Sequence, residues 1–181
     1  MPHRPPAPPA RRPAPPRPPR GPAPWHEVTG VGCAHGHGDG VVLHSAPAGP
    51  GWRAAGGGWT GDGCNGSAAW TMDSSGHPDP SMVTWTFTPS GVSWCTVAVF
   101  IPTQNALGVS QYSVFTGPPA PGQAVAAVQV TQAGEAGQWL TLGTFRVAAP
   151  RLEVTATPVP GPSGPGHHGA IAASAASARC S

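Results

Sequence analysis

The sequence predicts an all-β protein, a sandwich or barrel, standing behind a disordered proline-rich tail. Three observations carry that expectation. The 26 prolines are unevenly spread, with a dense group before Trp25. After it come short runs of β-branched and aromatic residues that alternate at period two, the signature of half-buried strands. Between the runs lie Pro/Gly turn signals: PSG, GPPAPG, AGEAG and PGPSGPG. Composition alone, with 26 prolines and 26 glycines, would suggest disorder. However, the seven tryptophans and most other large apolar residues fall after the tail, so the chain divides into a part that cannot build a core and a part that can.

Residues 1–24 are low-complexity, reading PHRPPAPPARRPAPPRPPRGPAP from Pro2. Fixed φ and missing N–H groups favour polyproline II there. At about 3.1 Å per residue the segment would reach roughly 70 Å, which suits a stiff spacer better than a PxxP ligand. Residues 25–50 read as a transition segment with a short strand at Val41, Val42 and Leu43. The β-sandwich domain is expected over 51–181, long enough for a sizeable core. Its first part is Gly-rich, with Trp52, Trp59, Cys64 and Trp70 as anchors among loops and short strands.

The alternation then becomes regular. Val83, Trp85 and Phe87 share one face, opposed by Thr84, Thr86 and Thr88. Cys95, Val97, Val99 and Ile101 share a face, opposed by Ala98 and Phe100, so that strand reads as buried on both sides. Tyr112 and Val114 oppose Phe115, and Val128 pairs with Val130. Trp139, Phe145 and Val147 fall on one face, which assigns Trp139, like Trp85, to the core. Leu152 and Val154 point inward, with Arg151, Glu153 and Thr155 outward. Alanine gives 169–179 some helical propensity. Strand is the better reading, because Cys180 must return to the sheet if it bonds Cys33.

The formal charge is +2, but the tail alone carries Arg4, Arg11, Arg12, Arg17 and Arg20. The body is mildly acidic and lacks the basic face that nucleic-acid binding needs. Cys33, Cys64, Cys95 and Cys180 show no CxxC spacing, which leaves zinc ribbons and thioredoxin-like motifs unsupported. Four scattered cysteines fit two disulfides in an oxidising compartment, with four buried thiols as the alternative. Of three possible connectivities, Cys64–Cys95 with Cys33–Cys180 is favoured, one an internal staple and the other closing the body's ends. The expected location is extracellular or cell-envelope. The first 30 residues hold no apolar h-region and no apolar run is long enough to span a membrane, so the expectation is that the start is internal or that an upstream segment has been lost.

Few residues mark chemistry. His35, His37, Asp39 and His44, with His167 and His168, carry zinc-ligating groups, but glycines flank the first histidines and a solvated loop is the simpler reading; no metal and no cofactor is expected. Retaining glycosidases need two carboxylates about 5 Å apart. Asp62, Asp73 and Asp79 lie in loops, Glu135 in a turn and Glu153 on an outward strand position. No GxSxG elbow is present, and GWRAAGGGW lacks the Lys and following helix of a phosphate loop. The chain is therefore not expected to be an enzyme. Exposed aromatic rings with nearby amides and carboxylates suit sugar recognition. Trp52, Trp59 and Trp70, beside Asp62, Asn65 and Asp73, are the platform candidates, with Gln104 and Asn105 as hydrogen-bonding candidates; each also has a simpler role as a loop anchor or turn cap. Trp94 stands at a strand entry, where it would pack on a disulfide.

From Trp85 to Phe145 the chain resembles the golvesin C-terminal-like, or Xly carbohydrate-binding-like, domain. WTFTPSGVSWCTVAVFIP is similar to that family's strand, F-x-P turn and strand ending in Pro, and QYSVF to its A-x-Y-x-V strand. The nearest match is VQVTQAGEAGQWLTLGTF, a Val-x-Val-x-Gln strand followed by Gly-x-Trp-x-x-Leu-Gly-x-Phe. AIAASAASARC stands where the family closes with A-D-A-V-R, with Ser174 in place of Asp. The resemblance covers roughly 52–180 and implies a jelly-roll-like β-sandwich on bacterial extracellular proteins. It also implies non-catalytic binding, with polysaccharide or cell-wall glycan as the partner. A structural or sensor ectodomain that binds protein is the alternative, and a hydrolase the third.

Overall fold

A computed structural model of the chain describes residues 24–35, 39–45, 51–72, 81–90, 93–117, 123–147, 150–159 and 169–181. The expected disordered tail, over residues 1–23, lies outside them, as do His37, Asp73, Asp79, His167 and His168. The described residues form twelve strands, β1 (Trp25–Gly30), β2 (Gly40–His44), β3 (Arg53–Ala55), β4 (Ala68–Met72), β5 (Met82–Phe87), β6 (Ser93–Phe100), β7 (Val109–Thr116), β8 (Ala126–Thr131), β9 (Trp139–Val147), β10 (Leu152–Pro158), β11 (Ala170–Ala173) and β12 (Ala175–Cys180), with one 3₁₀ turn at Gln132–Gly134. No helix among them is long and apolar enough to cross a membrane.

The strands make an all-β sandwich. One sheet has the order β1-β12-β6-β9, the second β2-β5-β10-β7-β8, and a small third sheet β11-β4-β3. All pairings are antiparallel. The core lies between the two larger sheets: Val83, Trp85, Phe87, Tyr112, Val114, Leu152 and Val154 from one meet Cys95, Val97, Val99, Val147, Ala176 and Ala178 from the other. Period two delivers these side chains to one face of each strand, as expected for β5, β7 and β10; β6, expected to be buried on both sides, buries Cys95, Val97 and Val99 on one face but on the other only Phe100, leaving Thr96 and Ala98 partly open. At the sheet edge, β8 buries Val130 but leaves Val128 exposed. Residues 25–50, expected as a transition segment, supply an edge strand to each large sheet, β1 beside β12 and β2 beside β5.

Residues 170–173 and 175–180 are strand, but not because Cys180 bonds Cys33. The disulfides are Cys33–Cys64 and Cys95–Cys180, which overturns the expected Cys64–Cys95 and Cys33–Cys180. Both pairs are cross-strand neighbours. Cys95 and Cys180 oppose each other on β6 and β12, while Cys33 and Cys64 form an isolated antiparallel bridge flanked by Ala34 N–H to Gly63 O and Asn65 N–H to Gly32 O. Strand adjacency therefore decides the pairing, and adjacency is not encoded in cysteine spacing. On the chain-entropy model loops of 31 and 85 residues contribute about 4 and about 4.5 kcal/mol. The connectivity has a direct chemical test. Cyanogen bromide cuts after Met72 and Met82, between Cys64 and Cys95. Without reductant the two large fragments should separate, because each holds its own disulfide. Either other pairing would keep them joined.

Two buried polar groups fix how the small sheet joins the sandwich. Ser174 interrupts the last strand where it passes from β11 to β12. Its carbonyl accepts from Trp85 Nε1 (3.1 Å) and Val31 N (3.1 Å). Its Oγ accepts from Trp59 N (3.0 Å) and donates to Ser67 O (3.1 Å). An ionised Asp could not make that last donation, so the serine suits this corner. Gln132 is fully buried. Its Oε1 accepts from Ala172 N (2.9 Å), and its Nε2 donates to Ala172 O (2.9 Å) and Tyr112 Oη (2.8 Å). The side-chain amide thus takes the place of a neighbouring strand along β11.

Burial pushes the Tyr112 hydroxyl up to about 12, with hydrogen bonds to Gln132 and Ser110 opposing the rise. A phenol raised above its unfolded value stays neutral in the native state after the unfolded chain has begun to lose its proton. Its stabilisation is therefore complete below about pH 10 and falls as pH climbs towards 12, by roughly 1.4 kcal/mol per pH unit. Tyr112 is the only tyrosine, so tyrosinate absorbance reads it alone. The native midpoint should lie near 12 and the denatured midpoint near 10; a native midpoint near 10 would show the hydroxyl exposed.

Candidate functional site

The outer face of β1-β12-β6-β9 carries a depression. Its floor is built from small, mostly hydroxyl-bearing side chains: Thr96 on β6, Thr141 on β9 and Ser177 on β12, with Ala98 of β6 among them. Thr96 and Thr144 hydroxyls bond each other at 2.9 Å. His26 and Val28 of β1 and Arg179 of β12 line one side, and Trp59, Asp62 and Trp139 close one end, around a space of about 420 Å³.

That end is an aromatic corner. The Trp59 and Trp139 rings meet nearly edge-to-face, with centroids 5.3 Å apart at 76°. Phe100 lies 5.4 Å from Trp59 and 5.6 Å from Trp139. Such tilted contacts suit ring quadrupoles and hold the rings in place. The loop carrying Trp59 is pinned from several directions. Gly58 N donates to Gly66 O and Gly66 N to Trp59 O, Ser174 Oγ accepts from Trp59 N, and the ring packs against the cluster that holds Cys33 and Cys64. Asp62 Oδ2 accepts from Trp59 Nε1 at 3.1 Å. A Cβ on Gly61 would stand 2.6 Å from the indole, so only glycine lets the ring lie across this turn.

Trp139 reaches the outer face through a bulge, which corrects its assignment to the core. The β6–β9 register runs Ala98↔Thr141 and then Val97↔Gly143, leaving Leu142 as the extra residue. One inserted residue reverses the facing of everything before it. Trp139 and Thr141 therefore point outward, while Leu142 and Val147 are buried. Gly143 carries the bulge at φ 148°, and a Cβ there would sit 2.7 Å from the Phe145 ring.

Of the candidates named from sequence, only Trp59 and Asp62 come together here. Trp52 and Trp70 are half-buried and pack against the main core. Trp52 Nε1 donates to His44 O (2.9 Å), and the Arg53 guanidinium lies 5.3 Å from the Trp70 ring. Asn65 Oδ1 accepts from Ser67 N (3.0 Å) and so closes its own turn. Gln104 is exposed beside Gly56, and Asn105 is an exposed turn residue at φ 59°. Sequence reading missed Trp139 and also Trp94, which is 57% exposed rather than packed on a disulfide. Strict alternation from Cys95 would have placed Trp94 outward; for Trp139 no such signal exists without the bulge.

Among the described residues no three His, Cys, Asp or Glu gather as a metal site. His35 Nδ1 pairs with Thr29 Oγ1 (2.9 Å), and Asp39 Oδ1 accepts from Thr88 N (2.6 Å) and Oγ1 (2.9 Å).

No family model matches the chain, and no curated protein matches it in sequence. Among solved structures it is similar to a Paenibacillus xanthan lyase, at 16% identity and a TM-score of 0.49, covering 76% of this chain and 12% of the lyase. It is also similar to the C-terminal CBM6 of LamC, a marine laminarinase of Zobellia galactanivorans, at 12% identity, TM-score 0.38, 76% of this chain and 98% of that one. A third is the K3 cleaved adhesin domain of Lys-gingipain from Porphyromonas gingivalis, at 14% identity, TM-score 0.35, 75% and 97% coverage. The chain spans about 12% of the xanthan lyase's length, and likenesses this distant assign it neither ligand nor activity.

Proposed function

We propose that this chain is a non-catalytic extracellular module that binds polysaccharide or cell-wall glycan on the outer face of β1-β12-β6-β9. The observation that carries the reading is the aromatic corner of Trp59 and Trp139 at one end of a trough with a Thr/Ser floor. Sugar rings present C–H faces to aromatic rings and hydroxyls to small polar groups, and a trough with both suits such a ligand. Among the described residues Asp62 is the one carboxylate lining it, whereas most glycosidases use a pair. The resemblance of Gln132–Phe145 to golvesin C-terminal-like domains supports the same reading, as do the two disulfides, which suit an oxidising compartment.

The test is retention of the full chain on insoluble cell-wall polysaccharide, compared with the Trp59→Ala, Trp139→Leu double variant. Retention should fall at least tenfold while the fold persists. A folded wild-type chain that binds no polysaccharide, or a double variant that binds normally, overturns the proposal.

A further inference from the structure

Beyond its aromatic corner, the same sheet face carries a second aromatic position with cations around it. Trp94 is 57% exposed. It shares the outward row of β6 with Thr96, Ala98 and Phe100, so it lies about 20 Å from the aromatic corner at ~3.3 Å per residue. Arg146 of β9 stands directly opposite Trp94, and Arg179 of β12 directly opposite Thr96 on the other side. Both arginines are exposed, and His26 faces Arg179 from β1.

This distribution runs against the charge of the body. Residues 25–181 hold four arginines and seven acids, 4 − 7 = −3 with histidine neutral. Even so, two of those four arginines stand on this strip. Among the described residues the only ion pair is Arg151–Glu153, so neither Arg146 nor Arg179 has a carboxylate partner there. Asp62, at the far end, is engaged by Trp59. The depression holding the aromatic corner and a neighbouring one share His26, Thr96 and Arg179, so they meet at Arg179, and Thr96 is the next outward residue of β6 after Trp94.

We propose that the ligand is an acidic polysaccharide whose carboxylates are taken by Arg146 and Arg179, with a sugar ring stacked on Trp94 and the chain running on to Trp59 and Trp139. This rests on the glycan-binding reading above. The guanidinium fork matches a carboxylate in two parallel hydrogen bonds, and a desolvated ring beside it adds apolar contact. A single-sign strip on an acidic body also selects against neutral chains by charge alone.

The experiment titrates the full chain with polygalacturonate and with laminarin, a neutral glucan, at low and high salt. Polygalacturonate should bind at least tenfold more tightly at low salt. Its advantage should shrink as the Debye length falls from ~30 Å at 0.01 M to ~3 Å at 1 M. The Arg146→Gln, Arg179→Gln double variant should lose tenfold or more on polygalacturonate and keep its laminarin affinity. Arg151→Gln, on the other sheet, should change neither, which separates a built site from general charge attraction. Equal binding of the two polymers, or an Arg151→Gln effect as large as the double variant's, overturns the inference and leaves the glycan-binding reading intact. Binding of neither polymer by folded protein, with none on cell-wall material, overturns both.

Discussion

Replacing Gln132 with Leu should lower the unfolding free energy by about 4 kcal/mol. The volume is nearly kept, so the loss comes from hydrogen bonding. The amide is fully buried and satisfies three groups: the N–H and C=O of Ala172 and the hydroxyl of Tyr112. A buried polar group left without a partner costs about 1–3 kcal/mol. Water cannot readily replace the amide in a site sealed by Tyr112 and Ala172. In a chain of this size the melting temperature should drop by roughly 8–16 °C. Gln132→Glu should also destabilise, because a carboxylate cannot donate to both Tyr112 Oη and Ala172 O. Thermal denaturation measures both, and a loss below 1 kcal/mol for Gln132→Leu would show that the bidentate bond to β11 contributes little. Gln132 is also the Gln of the Val-x-Val-x-Gln motif. Its chemistry is structural, since it docks the small third sheet onto the sandwich.

The second large effect is on binding. Removing the Trp59 and Trp139 faces together should weaken polysaccharide binding at least tenfold, and by more if both rings stack on ligand. Burying a large apolar side chain is worth roughly 1.5–3 kcal/mol, and 1.4 kcal/mol is already tenfold in affinity. Trp139 also packs on the Cys33, Cys64, Val28, Phe100 and Ala175 cluster, so Leu is the better replacement there, keeping apolar bulk while removing the flat ring. Asp62→Asn should cost less, because an amide oxygen still accepts from Trp59 Nε1. Trp70→Ala should instead destabilise the fold, since that ring packs against the main core. Loss of binding in proportion to stability, rather than to ring identity, would move the site elsewhere.

The strands of the body were legible because side-chain alternation is local. Val83–Phe87, Cys95–Ile101, Tyr112–Val114 and Leu152–Val154 each declare their buried face within a few residues, and each buries that face in the structure. The strand at 170–180 was also anticipated, for the wrong reason, since its cysteine bonds Cys95. β1 was not anticipated, because WHEVTG holds too few apolar positions to declare a face and becomes a strand by pairing with β12.

Local alternation and composition make this chain all-β, mark most of the residues that fill its core and supply four cysteines to staple it. The packed fold sets which strands are neighbours, and hence that Cys33 meets Cys64 and Cys95 meets Cys180. It also decided the site. A single extra residue at Leu142 turns Trp139 from the core face to the surface, where it meets Trp59 from a loop 80 residues away in sequence. Alternation is a short-range property, whereas register, bulges and sheet order depend on contacts between distant segments; the binding face belongs to the second kind.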